Sequence, residues 1–241
     1  MKIIKNFIVI ALITSVIFSI SSCKTVDNIK GYLNYRFTDD NEIKEIDGEI
    51  KMLPEPKLES STSLEEAIKN RRSVRTFKEK ELELEQISQL LWAAQGITEP
   101  KTGFRAAPSA GALYPLELYV IKKDGLFHYI PGEHKIEKIK GADLRNKLMQ
   151  CALFQEFIAE APANIIITSV NERTTQKYGN RGIRYVHMEA GHAAQNILLQ
   201  ATVLGLAAVP VGAFDDPCLT NLLSLEENYT PLYIIPVGYK G

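Results

Sequence analysis

HMEAGHAAQNILLQATVLGLAAVPVGAF, residues His187–Phe214, is the stretch that decides the fold. Taken back to residue 183, its apolar positions Val186, Ala190, Ala193, Ala194, Ile197, Leu198, Ala201 and Leu204 share one wide helical face. The spacing predicts a helix over 183–204, closed by Gly205. Ala207 to Ala213 then reads as a buried strand. The alanine-rich face of the helix suits close packing across a two-fold axis. On its other positions, His187, Glu189 and His192 form HxExxH rather than HExxH. Two histidines five apart sit about 140° apart around a helix, so no metal site is expected. Glu189 and His192 are read as a surface or interface hydrogen-bonded pair.

Upstream, Ile87, Leu90, Leu91 and Ala94 recur at i, i+3, i+4 and i+7, giving an amphipathic helix over 84–95 that stops at Gly96. Ser63 followed by Glu66 is a capping-box pattern opening a helix through Asn70. Leu116–Lys122 and Leu126–Ile130 read as strands joined at Asp124-Gly125, with His134–Lys138 as a third, exposed strand. Short helices are expected over 142–150 and 154–159, and Ile165–Val170 is a nearly continuous apolar run typical of a buried strand. Leu232–Val237 is another, preceded by a short helix after Asp215-Asp216. Helices and strands interleaved in this way make an α+β or mixed α/β domain.

The chain of 241 residues suits one domain, and 45% apolar with 24% charged residues reads as globular. Its formal net charge is -1, and no basic stripe with interleaved aromatics is present, so nucleic acid is not an expected partner. The three cysteines, Cys23, Cys151 and Cys218, are too few and too scattered for a disulfide framework or a thiolate metal site. Lys2 and Lys5 precede an apolar run from Phe7 to Ile20 that is too short to span a bilayer, which takes about 20 residues. Ile20-Ser21-Ser22-Cys23 follows and resembles a bacterial lipobox. Residues 1–22 are therefore expected to be a lipoprotein signal peptide and Cys23 the lipidated residue. A plain signal peptide with an incidental cysteine remains the alternative. Residues 23–60 read as a tether and N-terminal arm, and 61–241 as the catalytic domain.

Three segments bear chemistry. Arg71-Arg72-Ser73-Val74-Arg75-Thr76-Phe77 follows a helix, and its β-branched and aromatic residues disfavour continued helix. In an extended chain Arg71, Ser73 and Arg75 point one way, as a phosphate clamp would require; the same cations also suit a helix C-terminus. Pro108-Ser109-Ala110-Gly111, within Ala107–Pro115, is built of small residues that let backbone lie against a planar ring. A merely tight loop-to-strand junction would look the same. Pro210-Val211-Gly212-Ala213 ends the third segment, where backbone N–H groups can meet a ring edge, or simply close a core strand.

In this order and spacing, SLEEAIKNRRSVRTF (63–77), APSAGALYPLELYVI (107–121), the 187–214 segment and IIPVGY (234–239) resemble the nitroreductase-like flavoenzymes. LPEP at 53–56 extends the likeness, which is nearest to the thiazoline- and oxazoline-forming dehydrogenases of peptide maturation. The resemblance implies an α+β nitroreductase-like fold, a central mixed or antiparallel sheet flanked by helices, and a homodimer with exchanged arms. It implies FMN bound without a covalent link at the dimer interface. Arg71, Arg72, Ser73 and Arg75 would serve the phosphate, with Lys240 as the late cation. Pro108, Ser109, Ala110 and Gly111 would pass along the ring, from the partner chain, and Pro210, Val211, Gly212 and Ala213 would meet its other edge. Ala112 and Gly212 stand where many nitroreductases carry Asn and an acidic residue, which puts the usual substrate pocket in doubt. Tyr114 and Tyr178 are the side chains expected to reach the open face instead. The implied activity is an FMN-dependent oxidoreductase acting on a small organic molecule. NAD(P)H-dependent nitro reduction and a non-catalytic flavin-binding lipoprotein are the alternatives.

Overall fold

A seven-stranded sheet, antiparallel at every pairing, is the frame on which the site is hung in a computed structural model that describes residues 48–241. The expected signal over 1–22, Cys23 and the tether to residue 47 lie outside the described residues. The elements run in order β1 (Ile50–Met52), α1 (Leu64–Asn70), α2 (Leu84–Gln95), β2 (Ile97–Glu99), β3 (Phe104–Arg105), β4 (Leu116–Lys122), β5 (Gly125–Ile130) and β6 (Lys135–Lys140). They continue as α3 (Arg145–Cys151), α4 (Phe157–Glu160), β7 (Ala163–Val170), α5 (Glu172–Tyr178), α6 (Arg181–Val203), β8 (Leu206–Ala208), α7 (Asp216–Leu223) and β9 (Tyr229–Tyr239). The sheet order is β1-β6-β5-β4-β7-β9-β8, with β2 and β3 forming a separate ribbon.

Alternation explains the layers. Leu116, Leu118 and Val120 of β4, Ile165 and Ile167 of β7, and Ile235 and Val237 of β9 are buried in one cluster with α2 and α6. Ile121, Ile166 and Ile234 alternate to the opposite side and are also fully buried, and α7 packs on β9. A strand covered on both faces is mostly apolar without alternation, and β7 is buried throughout, with Asn164, Thr168 and Ser169 as its polar members.

The helix-start signals act as the sequence predicts: the Ser63 hydroxyl accepts from Glu66 N at 3.1 Å, and Asp215 caps α7 by accepting from Cys218 N at 2.8 Å. Gly205 takes a left-handed φ of 69° after α6. Several expectations are corrected. The strand after α6 is three residues long, not seven; Val211 keeps only an isolated bridge to Ile234, because Pro210 has no N–H to extend the ladder. The strand over 135–140 is not exposed: Ile136 and Lys140 are buried. The alanine-rich face of α6 faces its own chain, packed on α2 and the sheet, so it is not free for a two-fold contact. Residues 50–57, read as arm, lie on the domain: β1 pairs with β6, Leu53 is buried, and Lys57 N donates to Gln89 at 2.8 Å.

The cysteines require the largest correction. Cys151, ending α3, and Cys218, in the first turn of α7, form a disulfide across 67 positions of sequence. Neither spacing nor a motif announces it; α3 and α7 meet only because the chain folds them together.

Candidate functional site

Residues 71–78 are extended, as the β-branched run predicts, and dock along the end of the sheet. Ser73 bridges Ala208 in parallel, Val74 N donates to Ala208 O at 3.1 Å, and Lys78 N donates to Tyr239 O at 2.9 Å. Phe77 lies opposite Lys240, and Gly241 N donates to Thr76 O at 3.0 Å. The fold thus brings Arg71, Ser73, Arg75 and Lys240 to one end of the sheet beside the start of the 208–213 segment. Arg71 and Arg75 have no carboxylate partner among the described residues; Arg75 stands 5.7 Å from the centre of the Phe157 ring. The Arg72 guanidinium donates to Lys69 O at 2.9 Å and Arg71 O at 2.7 Å, at the C-terminus of α1. Past Pro210, Gly212 and Ala213 are exposed, and nothing stands within 4 Å of where a Cβ on Gly212 would be.

The small-residue loop lies elsewhere. It leads into Leu116, which pairs with Ser169 and through it with Thr230, whereas Ala208 pairs with Val237. The seven positions between Thr230 and Val237 amount to roughly 23 Å along the sheet, and three strand spacings add about 14 Å across it. Within one chain the loop does not reach the clamp.

The loop backbone is strained: Gly111, Ala112 and Tyr114 all have positive φ, at 65°, 52° and 46°. Gly111 is favoured by its left-handed φ, and a Cβ there would stand 2.8 Å from Tyr178 Oη and 2.9 Å from Lys177 Nζ, side-chain tips that would have to move aside. Lys177 and Tyr178 therefore converge on the loop, with Tyr178 set edge-on against Tyr185. Tyr114 is turned inward: its hydroxyl accepts from Arg105 N at 3.1 Å and the Arg105 guanidinium lies 4.6 Å from its ring centre. Its N–H donates to Ser109 Oγ at 2.9 Å, and its carbonyl accepts from Arg173 at 3.2 Å.

Arg173 also pairs with Glu117 at 2.6 Å, and Glu117 meets His128 at 2.8 Å. Burial pushes the Glu117 carboxyl up, but His128 and Arg173 outweigh it and hold it below the usual range. Glu189 behaves in the opposite way. It is 2% exposed, so it is neither a surface residue nor paired with the exposed His192. Its place on the buried stripe, three after Val186 and four before Ala193, is the signal that its charge concealed. Burial pushes its carboxyl up to about 7, against the opposing pull of Ser109, Arg105 and Gln95.

The nitroreductase family profile matches residues 68–239. The chain belongs to the nitroreductase family. It is 47% identical over 183 residues to MJ1384 of Methanocaldococcus jannaschii, covering 73% of this chain and 91% of that protein. It is 24% identical over 170 residues to the microcin B17-processing protein McbC of Escherichia coli, covering 66% of this chain and 59% of McbC. Among solved structures, a family protein of Ralstonia eutropha JMP134 superposes with a TM-score of 0.75 at 28% identity, covering 85% of this chain and 97% of that one. The α+β architecture, an antiparallel sheet flanked by helices, is the fold of these relatives, and an oxidoreductase activity follows from the family.

Proposed function

We propose that this chain is an FMN-dependent oxidoreductase that works as a homodimer, transferring a hydride between a small organic substrate and the bound flavin. The observation that carries this reading is the segment at 71–77, bridged to Ala208 and Lys240 with Arg71 and Arg75 free of carboxylates among the described residues. Two guanidinium groups, a hydroxyl and a late lysine at one sheet end fit a phosphate. The open backbone at Gly212 and Ala213, next along the same segment, fits a planar ring edge.

The flavin would supply the two-electron chemistry; the protein binds, orients and excludes water. Arg71, Ser73, Arg75 and Lys240 would fix the phosphate, and 210–213 one ring edge. The Pro108–Gly111 loop lies too far from its own clamp, so a second copy would supply it. Exposed Leu64, Ile68 and Met188 on α1 and α6 offer apolar surface for that second copy. Lys177 and Tyr178, converging on the loop, are the proton-carrying groups placed to meet a substrate there. The likeness to McbC and the Ala107–Pro115 motif favour the thiazoline- and oxazoline-forming branch. The short apolar run ending at Cys23 favours a lipid-anchored protein outside the cytoplasm, and the Cys151–Cys218 disulfide suits that compartment.

The test is purification of the mature protein, a visible absorption spectrum and sedimentation analysis. A yellow dimer that loosens when FMN is removed is expected. A flavin-loaded monomer, or a dimer that takes up no flavin, would refute the reading.

A further inference from the structure

Beneath the 108–114 loop lies a cluster of polar side chains that are incompletely paired. Glu189 and Gln95 are both buried, and Glu189 Oε1 and Gln95 Nε2 make no close hydrogen bond. Buried polar atoms are ordinarily hydrogen-bonded, so these two call for an explanation. Glu189 faces the Ser109 hydroxyl and the Gln95 amide. Ser109 already accepts the Tyr114 N–H at 2.9 Å, and that bond spans the strained turn through Gly111 and Ala112. Its remaining hydrogen has two directions to go: inward to a carboxylate, or outward to whatever lies along the loop.

We propose that Glu189 is the positioning residue of this loop, acting through Ser109: as a neutral acid it gives its hydrogen to Ser109 Oγ, and the Ser109 hydroxyl then donates outward to a carbonyl of the bound ligand. As a carboxylate it takes the Ser109 hydrogen inward, and the loop loses that donor. The step is a proton exchange with water at Glu189 and a rotation of one hydroxyl; no other bond changes. The groups set around it are consistent with a carboxyl poised between these forms. Arg105 of β3 is the one cation near it and is itself shared, bonded to Gln95 Oε1 at 3.1 Å and stacked on Tyr114. Glu117 of β4 and Arg173 of α5 act on Arg105 with opposite signs. Glu189's elevated ionisation, about 7, puts the exchange near neutrality. That the ligand is FMN rests on the reading above.

The experiment has two arms. In the first, FMN affinity is measured from pH 6 to pH 8.5 for wild type, Glu189→Gln and Ser109→Ala. A glutamine amide donates at every pH, so Glu189→Gln is expected to keep the low-pH affinity throughout, while wild type weakens about tenfold on going to pH 8.5. Ser109→Ala is expected to be weak at every pH. Ionisation of the FMN phosphate affects all three proteins alike, so the difference between them is the readout. A Glu189→Gln protein with the wild-type pH dependence would overturn the proposal. The second arm needs no flavin: the protonated-carboxyl infrared band of the apo protein. A band present at pH 5.5, lost by pH 8.5, absent in Glu189→Gln and shifted in Ser109→Ala is expected. A band unmoved by Ser109→Ala overturns the proposal even if FMN fails to bind, an outcome that would sink only the flavin reading.

Discussion

Replacing Glu189 by glutamine should stabilise the protein at alkaline pH and do little at acid pH. The carboxyl is raised from an ordinary 4.5 to about 7 by burial, which its partners do not offset. Each pKa unit corresponds to 1.36 kcal/mol, so holding the charged form inside the fold costs about 3 kcal/mol. The folded state binds this proton more tightly than the unfolded chain, so the group costs nothing below the unfolded value. Stability is then lost as pH climbs from about 4.5 to 7 and levels off above. Glutamine has the same shape and no charge to bury, so the variant escapes that loss. Urea unfolding of both proteins at pH 5, 6, 7 and 8 measures the effect as a change in midpoint at constant slope. The stability difference, variant minus wild type, should grow by about 2.5 kcal/mol across the series, or roughly 5–10 °C in melting temperature for a domain of this size. A difference that stays level with pH would refute the reasoning, because it would show that Glu189 does not titrate in the fold. A wild type favoured at pH 8 would show that the partners of its carboxylate outweigh the cost of burial.

Arg71→Ala should weaken FMN binding about tenfold or more, since a charge-assisted bond contributes about 1.5–3 kcal/mol, and leave riboflavin binding nearly unchanged; equal losses in a flavin-quenching titration would place Arg71 in the fold instead. Reducing the Cys151–Cys218 bond should destabilise the protein by about 4 kcal/mol, the loop-closure entropy of a 67-residue separation; unchanged unfolding in reductant would mean that the crosslink is not formed in solution. Cys23→Ser should shift the protein from the membrane to the soluble fraction on cell fractionation, and continued membrane association would count against a lipid anchor. If the proposed export holds, NADH and NADPH should bleach the flavin band slowly and without saturation under anaerobic conditions; fast reduction saturating at micromolar nicotinamide would contradict that proposal.

Sequence by itself determined what depends on near neighbours along the chain. The 3.6-residue spacing of Ile87, Leu90, Leu91 and Ala94 fixed α2 to the residue, and the stripe from Val186 to Ala201 fixed α6 to within two. The β-branched run at 74–77 was enough to take the arginines out of helix and into an extended strand. Turn chemistry located the β4–β5 hairpin, one residue from its true turn at Lys123-Asp124. Only tertiary structure decided which of these pieces meet. Ser73 finds Ala208, and Phe77 finds Lys240, through backbone bonds that no side-chain pattern encodes. Cys151 and Cys218 meet because α3 and α7 pack together. The carbonyls of Lys69 and Arg71 meet the Arg72 guanidinium because the helix ends there, a contact that no pattern of residues announces. Glu189 sits on a stripe that sequence shows to be buried, yet its charge argued for the surface. A carboxyl is tolerated inside where the fold brings Ser109, Gln95 and Arg105, all within residues 95–109, against a helix about 80 positions further along the chain. Local periodicity sets the faces of helices and strands, but the partners of those faces are set by the packing of the whole chain.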